Sequence, residues 1–291
     1  MVLSVSPGEA GSLQQLVSKG SLSGKYFGTR LGSKASSAED GLSLYHGLPD
    51  GTSSNPRNAV RHVRICIIQS CYIPWKGFFD LVGRCDEYVV YDSAQYVKGH
   101  WHNRNRIKTA NGVKWLTIPV VTSGRLGQRI DEVEIGKPWA EQHWDSLRLA
   151  YRNAPFFEQF SPTVKGWYEV AGKQTRLTDV NSIFLKGTIE LMGFKTRMVA
   201  DAAYPKQGSR MERLLSIAQA AGADRYLSGP SARDYFDETV FRAAGITPEW
   251  MSYAGYPPYP QLHGDFEHAV TVLDLLFNTG SDASRYLSRA A

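Results

Sequence analysis

A chain of 291 residues with 42% hydrophobic and 12% aromatic side chains can bury a full core without a disulfide or a structural metal. The 33 Lys and Arg exceed the 28 Asp and Glu and give a formal charge of +5, which matters for binding only where it is concentrated. An odd count of three cysteines, the absence of an apolar run of roughly 18 to 20 residues and the absence of a signal-peptide pattern predict a cytoplasmic protein with reduced thiols and no membrane partner.

The chain divides by composition near residue 62. Residues 1–62 are rich in Gly and Ser and end in the polar stretch Ser-Ser-Asn-Pro-Arg-Asn, which reads as a linker. This composition predicts a disordered or loosely packed N-terminal extension, followed by one catalytic domain over residues 63–291.

Short apolar runs alternate with helical patterns after this boundary. Strands are predicted at residues 64–68, 88–91, 115–120, 133–135, 196–199, 226–228 and 250–253. Helices are predicted at residues 74–83, 139–151, 178–192, 209–221 and 269–278. The alternation predicts an α/β fold with a mostly parallel sheet and flanking helices. Ligands bind such sheets at the carboxyl ends of strands, which directs attention to residues 69–75, 92–95 and 228–234 and to the loop after Tyr253.

Positive charge is concentrated between Ser93 and Ile130, where the sequence has no Asp or Glu. The segment contains Lys98, Arg104, Arg106, Lys108, Lys114, Arg125 and Arg129, together with His100 and His102. We predict a basic loop. Tyr96 and Trp101 are interleaved with the charges, so the loop is predicted to bind phosphate or nucleic acid, with a solvated loop as the alternative.

The segment after the first strand reads Gln-Ser-Cys-Tyr-Ile-Pro-Trp (69–75). Gln69 and Tyr72 can hydrogen-bond a ligand, while Trp75 either walls a pocket or packs the start of a helix. Cys71 is a nucleophile only if a positive neighbour or a helix N-terminus lowers its pKa, and a lone cysteine is more often inert.

Two further strand ends carry polar side chains. Asp92 can act as a general base or hold a substrate amine, or it can cap a turn. Arg104 and Lys108 can grip phosphate, or they can be solvated. Asp234 follows Ser228 at a helix start, where it can be either a functional group or a cap.

The loop at residues 256–264 is rich in proline and tyrosine, and its reactive members are Gln261 and His263. It is either a functional loop or a rigid connector. The histidine and cysteine spacings do not match a metal site. Motifs for an ATPase, a simple Rossmann dehydrogenase and an α/β-hydrolase are absent, so no cofactor is predicted.

These segments resemble the WbqC-like family. The matching stretches, in chain order over about 220 residues, are Gln69…Tyr72-Ile-Pro-Trp-Lys-Gly-Phe-Phe-Asp80, Asp92…Gln95, Asn103-Arg104…Ile107-Lys108, Gly112…Trp115-Leu-Thr-Ile-Pro-Val120, Gly222-Ala-Asp…Tyr226-Leu-Ser-Gly229, Asp234-Tyr235, Tyr259-Pro-Gln261 and Asp274-Leu-Leu-Phe-Asn278. This chain has Ser70 where the family tends to have proline, so its local turn is expected to differ.

The resemblance implies aminoacyl transfer, in which a seryl or glycyl group passes from aminoacyl-tRNA to a small amine or hydroxylamine in natural-product or surface-polysaccharide biosynthesis. Under this hypothesis we predict three catalytic residues, Asp92, Lys108 and Asp234. The predicted substrate-binding residues are Gln69, Tyr72, Trp75, Gln95, Asn103, Arg104, Ser228, Tyr235 and Gln261. Two alternatives remain open: a non-catalytic nucleic-acid-binding protein, and an acyl or sugar-nucleotide transferase that uses a diphosphate-containing donor.

Overall fold

The central strand of the molecule is the apolar run Arg-Ile-Cys-Ile-Ile, in which four of five side chains are buried. The computed structural model describes residues 62–287. Its strands are Arg64–Ile68 (β1), Glu87–Val90 (β2), Arg104–Thr109 (β3), Gly112–Thr117 (β4), Arg197–Ala200 (β5), Arg225–Ser228 (β6) and Thr247–Trp250 (β7). Its α-helices are Lys76–Gly83 (α1), Ala140–Tyr151 (α2), Phe157–Ala171 (α3), Leu177–Leu191 (α4), Arg210–Ala220 (α5), Glu238–Ala243 (α6) and Val272–Thr279 (α7).

Five strands form one parallel sheet in the order β5-β2-β1-β6-β7. Ile67 pairs with Val89 of β2, and on the other side of β1 Ile65 pairs with Tyr226 of β6. The chain adds strands to one side of β1 first and then to the other, so the strand order reverses between β1 and β6. The predicted α/β class is confirmed, and the reversal makes the carboxyl end of β1 the expected ligand edge.

The prediction of a basic loop is wrong in part, because the segment contains the antiparallel hairpin of β3 and β4. In β3 the side chains alternate, with Asn105 and Ile107 buried and Arg104 and Arg106 half-buried. Arg106 pairs with Trp115 of β4, so cations and an indole share the outward face. A strand with so few apolar side chains is not predicted when strands are identified by apolar runs.

A layer of helices, made of α2, α3, α4 and α7, shares one hydrophobic cluster with the hairpin. The helices α3 and α6 were not predicted from the sequence. Tyr168 of α3 packs on Phe184 of α4 with ring centroids 4.9 Å apart. The predicted strand at residues 133–135 is reduced to isolated bridges, and the one predicted at 250–253 lies earlier, at β7. The remaining predicted helices and parallel strands are present within a few residues of their expected bounds.

Residues 1–61 lie outside the described part of the chain, so the predicted boundary at residue 62 stays a prediction. Within residues 62–287, no helix combines the length and the apolar character needed to cross a membrane.

Candidate functional site

The turn after β1 is fixed by three buried polar side chains that meet at Ser70. The backbone N–H of Ser70 donates to Asp92 Oδ1 at 2.8 Å, and its carbonyl lies 3.0 Å from His102 Nδ1. Its hydroxyl accepts from Asn181 Nδ2 at 2.9 Å. These partners come from the end of β2, the segment before β3 and the helix α4. The central strand end is therefore tied to three separate parts of the fold.

Asp92 is buried and uses both carboxylate oxygens. Oδ2 accepts from the Thr178 hydroxyl at 2.6 Å, in the first turn of α4, while Oδ1 serves Ser70. Burial raises the pKa of Asp92 to about 6, against the hydrogen bonds from Thr178 and Ser70, which lower it. This arrangement gives Asp92 a positioning function, because it joins the ends of β1 and β2 to α4.

The same turn contains a strained residue. Ile73 has φ of 37°, a conformation rarely adopted by a β-branched side chain. The Asn105 side-chain amide donates to the carbonyls of Tyr72 and Ile73, at 3.0 and 2.7 Å. The Tyr72 N–H donates to the Trp101 carbonyl at 3.0 Å. The hairpin and the segment before it therefore hold the turn in place.

The aromatic side chains of this turn point into packed surroundings. The Tyr72 hydroxyl lies 2.9 Å from His143 Nδ1 and 2.7 Å from the Tyr168 hydroxyl, within the helical layer. Trp75 makes edge contacts with two tyrosines, among them Tyr253 at 5.1 Å. Gln69 is buried and its amide forms no hydrogen bond with residues 62–287. Of the predicted ligand contacts in this turn, Gln69 is the one with hydrogen-bonding capacity to spare.

Two histidine rings lie in tilted contact just before the hairpin. The rings of His100 and His102 lie 4.8 Å apart, and His102 is 1% exposed. Because the Ser70 carbonyl is an acceptor, His102 Nδ1 carries the proton and Nε2 presents a lone pair. Within the described chain, His102 Nε2 has no hydrogen-bond partner. Burial lowers the pKa of both histidines to about 4, so both rings are neutral near pH 7.

An outward-facing group of two arginines and two tryptophans flanks this pair; we call it the hairpin face and define it as Trp101, Arg104, Arg106 and Trp115. The Arg104 guanidinium carbon lies 4.3 Å from the centre of Trp115, and the two indoles lie 5.2 Å apart. The Arg106 guanidinium carbon is 5.7 Å from each indole. A β-carbon at Gly99 would lie 3.8 Å from an Arg104 terminal nitrogen, which places Arg104 beside the loop that carries the histidines.

The remaining cations of the basic segment are mostly engaged. Arg125 pairs with Glu134 at 2.8 Å, and Arg129 pairs with Asp131 at 2.9 Å. Lys114 donates to the Ser146 hydroxyl at 3.1 Å. The charge available to an anion on this side of the chain is therefore concentrated on the hairpin face, where the aromatic rings also lie.

Lys108 and Gln261 are predicted site residues 153 positions apart, and they are in contact where β3 meets the loop at residues 256–268. Lys108 Nζ donates to Gln261 Oε1 at 2.8 Å and to the carbonyls of Gly264 and Asp265. Gln261 Nε2 donates to Asp274 Oδ1 at 2.7 Å. Lys108 is 5% exposed, so it acts here as a tie between the hairpin and this loop and does not present its charge to solvent.

A second buried lysine supports the same loop. Lys76 Nζ donates to the Pro257 carbonyl at 3.1 Å and lies 5.0 to 5.8 Å from the ring centres of Tyr256, Tyr259 and Phe266. Burial lowers the pKa of Lys76 to about 8, opposed by the charges of nearby carboxylates. No role was predicted for Lys76 from the sequence.

His263 lies beside a cleft of about 900 Å³ between the hairpin turn and α2, whose lining includes Asn111, Lys114 and Asn153. It has φ of 67°, and its Nε2 lies 2.9 Å from the Ala150 carbonyl. The loop at residues 256–268 is thus a built structure, held at His263, Gln261 and both buried lysines.

The other predicted residues lie on separate segments of the chain. Asn103 is buried, donates to the Ile118 carbonyl at 2.8 Å and accepts from the Tyr96 hydroxyl. Ser228 is buried at the end of β6, whereas Gln95 is exposed.

Asp234 and Tyr235 lie exposed on the 3-10 helix Pro230–Tyr235, and the Arg210 guanidinium carbon lies 4.7 Å from the Tyr235 ring centre. Asp234 forms no hydrogen bond or ion pair with Asp92 or Lys108 in the described chain. Within residues 62–287, no hydrogen bond or ion pair joins any two of the three predicted catalytic residues.

Three residues that complete the Ser70 turn were not identified as site residues from the sequence. These are His102, Thr178 and Asn181. His102 was noted only as part of the basic segment, and the other two lie in a helix more than 80 positions from Asp92. Thr178 and Asn181 could have been recognised from their position at the start of a helix next to the ligand edge of the sheet. That position is known only once the topology is known.

Sequence comparison agrees with the resemblance read from the motifs. Residues 69–286 match the sequence model of the WbqC-like protein family. The chain belongs to the WbqC-like family. It is also similar to the uncharacterized protein Rv1507c of Mycobacterium tuberculosis, with 43% identity over 225 residues that cover 77% of this chain and 97% of that protein. The WbqC-like region includes the Ser70 turn, the hairpin face and the loop at residues 256–268.

Proposed function

We propose that this WbqC-like protein is a transferase that moves an aminoacyl group from aminoacyl-tRNA to a small amine or hydroxylamine. The observation that carries the proposal is the position of the hairpin face directly beside the buried His102 and the Ser70 turn. The hairpin face is the proposed RNA-binding surface, and it adjoins the buried polar side chains of the Ser70 turn at the ligand edge of the sheet. A charged tRNA needs both, one for its acceptor end and one for the ester.

The hairpin face suits single-stranded RNA. Trp115 is 42% exposed and offers a stacking surface, and Arg104 and Arg106 can meet phosphates on either side of it. Stacking of a base on an aromatic ring contributes roughly 1–3 kcal/mol and tolerates any base, which fits the shared 3′ end of tRNA. An aminoacyl ester is already activated, so the reaction requires no ATP.

The reaction joins two substrates without a covalent enzyme intermediate. The acceptor nitrogen attacks the ester carbonyl, a C–N bond forms, and the bond from that carbon to the ribose oxygen breaks. The nitrogen loses one proton and the ribose oxygen gains one, which leaves uncharged tRNA and an amide. In this scheme Asp92 and Lys108 position the Ser70 turn and the loop at residues 256–268, and Gln69 orients a substrate.

Binding to tRNA tests the RNA part of the proposal. We expect Trp115→Ala to weaken tRNA binding about tenfold, because one stacking contact is removed. Arg104→Ala should weaken binding and reduce its dependence on salt. Arg125→Ala is the matched control, since Arg125 lies in the same segment but is paired with Glu134, and it should bind like the parent protein. Fluorescence anisotropy at two salt concentrations measures all three variants.

Discharge of labelled amino acids from a panel of aminoacyl-tRNAs tests the chemistry. We expect one charged tRNA to lose its amino acid only when an amine or hydroxylamine is present. Salt-sensitive tRNA binding without discharge would favour the non-catalytic nucleic-acid-binding protein. Turnover of a small donor that contains a diphosphate, with no discharge of tRNA, would favour the acyl or sugar-nucleotide transferase.

A further inference from the structure

The cleft between the hairpin turn and α2 has no part in the transfer described above. Its volume is about 900 Å³, and its lining comes from three places: the hairpin turn, α2 with the residues that follow it, and His263. Cavities of roughly 300–1,000 Å³ are the usual size of sites for small-molecule ligands. The cleft is therefore large enough to hold a small organic molecule.

Hydrogen bonds between these segments fix the walls of the cleft. Lys114 Nζ on β4 donates to the Ser146 hydroxyl on α2 at 3.1 Å, which joins the hairpin to the helix. His263 Nε2 donates to the Ala150 carbonyl at 2.9 Å, which joins the loop at residues 256–268 to the same helix. The backbone of His263 has φ of 67°, an uncommon value for a residue other than glycine. Three separate segments are thus held around one space.

The charged side chains of the lining balance one another. Lys114 and Arg152 are positive, and Glu141 and Asp145 are negative. An anion such as phosphate would meet as many carboxylates as cations here, unlike on the hairpin face, where the cations lie among tryptophans. The balance favours a ligand without net charge.

Three exposed amide side chains line the cleft, those of Asn111, Gln142 and Asn153. None of them forms a side-chain hydrogen bond with residues 62–287. An amide both donates and accepts hydrogen bonds, and so does a hydroxyl group, so several hydroxyls on one ligand can pair with all three. Leu149, which is 69% exposed, adds an aliphatic surface for the carbons of such a ligand.

Other classes of ligand fit this lining less well. A nucleobase would have no aromatic ring of Phe, Tyr or Trp to stack on, because none lines the cleft. A metal ion would lack ligands, since residues 62–287 contain no group of three or more His, Cys, Asp or Glu able to hold one. An apolar molecule would cover the amides without pairing with them.

We propose that this cleft binds a neutral, hydroxyl-rich ring compound of the size of a mono- or disaccharide. Asn111, Gln142 and Asn153 hydrogen-bond the hydroxyls, and Leu149 contacts the ring carbons. The inference does not depend on aminoacyl transfer, because it uses no residue of the hairpin face or of the Ser70 turn.

Nuclear magnetic resonance of side-chain amides tests the site. The full chain, labelled with ¹⁵N, is titrated separately with glucose, sucrose, myo-inositol, glucose 6-phosphate and adenosine. We expect at least one of the three neutral polyols to shift the amide resonances of Asn111, Gln142 and Asn153 in a saturable way. The amide of Asn105 should stay in place, because it is buried against the Tyr72 and Ile73 carbonyls.

Two outcomes of the titration would overturn the proposal. One is the absence of a saturable shift with all three neutral polyols. The other is a shift produced by adenosine or glucose 6-phosphate alone, which would mean that the cleft selects a base or an anion.

Gln142→Ala tests whether the amides supply the affinity. We expect it to weaken binding of the responding polyol about two- to tenfold, since one neutral hydrogen bond is lost. Gln219→Ala is the matched control, because Gln219 is also exposed on a helix but lies in α5, away from the lining, and it should bind like the parent protein. Both positions are on helix surfaces where alanine is a good helix former, so both variants should fold. Parent-like affinity in both Gln142→Ala and Asn153→Ala would contradict the assignment.

Discussion

At the scale of single residues, the polar side chains near the ligand edge divide by whether their hydrogen bonds are complete. Asp92, Asn105 and Lys108 have partners at every reachable polar atom and hold backbone in place. His102 and Asn181 each keep one unused acceptor. Groups of the first kind are expected to affect folding when changed.

Asn105→Asp tests this expectation. The substitution replaces the amide that donates to the Tyr72 and Ile73 carbonyls with a carboxylate that faces them, in a residue 2% exposed. We expect the free energy of unfolding to fall by about 3–5 kcal/mol, because a buried charge would be set against two carbonyl oxygens. Urea unfolding measures the loss.

Asn111→Asp is the control for this prediction. Asn111 is exposed in the hairpin turn, so the same chemical change should alter stability by less than about 0.5 kcal/mol. Equal losses for the two variants would show that Asn105 does not clamp the strained turn.

The sequence identified many of these residues but not their roles. Asp92 stood out because it ends a strand, and Gln261 because it lies in a polar loop. Their partners are remote in sequence: Thr178 is 86 positions from Asp92, and Lys108 is 153 from Gln261. Local patterns carry no information about contacts at that separation. A residue that holds the backbone in place therefore could not be distinguished from one that takes part in the reaction.

At the scale of secondary-structure elements, the hairpin and α3 were the main differences. β3 reads Arg-Asn-Arg-Ile-Lys-Thr, with a single apolar side chain, yet pairing with β4 and burial of Asn105 and Ile107 hold it as a strand. α3 carries Pro162 and a glycine, both of which argue against a helix locally. In each case packing against the rest of the chain overrides local preference.

The contact between α3 and α4 gives a prediction at this scale. A β-carbon at Gly187 in α4 would lie 2.4 Å from the indole of Trp167 in α3. Gly187→Ala should therefore lower the free energy of unfolding by about 1–3 kcal/mol, although alanine is the better helix former. Thermal or urea unfolding of the full chain measures the change.

Gly166→Ala provides the opposite expectation from the same substitution. Gly166 lies within α3, and a β-carbon there would meet nothing within 4 Å. Alanine should stabilise the protein by about 0.5–1 kcal/mol, because it restricts the unfolded chain. A Gly187→Ala variant as stable as Gly166→Ala would mean that the two helices do not pack as closely as the structure has them.

At the scale of the whole molecule, the turn after β1 joins the sheet, the helical layer and the hairpin. The sequence predicted the α/β class because alternating strands and helices leave a local record. It did not predict that Ser70 would be the meeting point, since that depends on strand order and on which helix covers the sheet. Burial of the histidines depends on the same contacts between sheet, helices and hairpin. Their protonation is therefore linked to the stability of the whole fold.

Stability is therefore expected to fall on mild acidification. Burial lowers the pKa of His100, His102 and His143 to about 4 from an ordinary value of 6.5. Between these values the unfolded chain binds more protons than the folded chain, so unfolding is favoured as pH falls. Asp92 acts in the opposite direction, because burial raises its pKa from 3.8 to about 6 and acidification removes a buried charge; burial also raises the pKa of Asp274.

Three histidines outweigh these carboxyl groups if each contributes on the order of 1–2 kcal/mol between pH 7 and pH 5. We expect the free energy of unfolding in urea to be about 2–4 kcal/mol lower at pH 5 than at pH 7. His143→Gln, which removes one titrating ring away from the Ser70 turn, should lower stability at pH 7 but reduce the difference between the two pH values. Equal stability of the parent protein at pH 5 and pH 7 would mean that these rings are not held neutral by the fold.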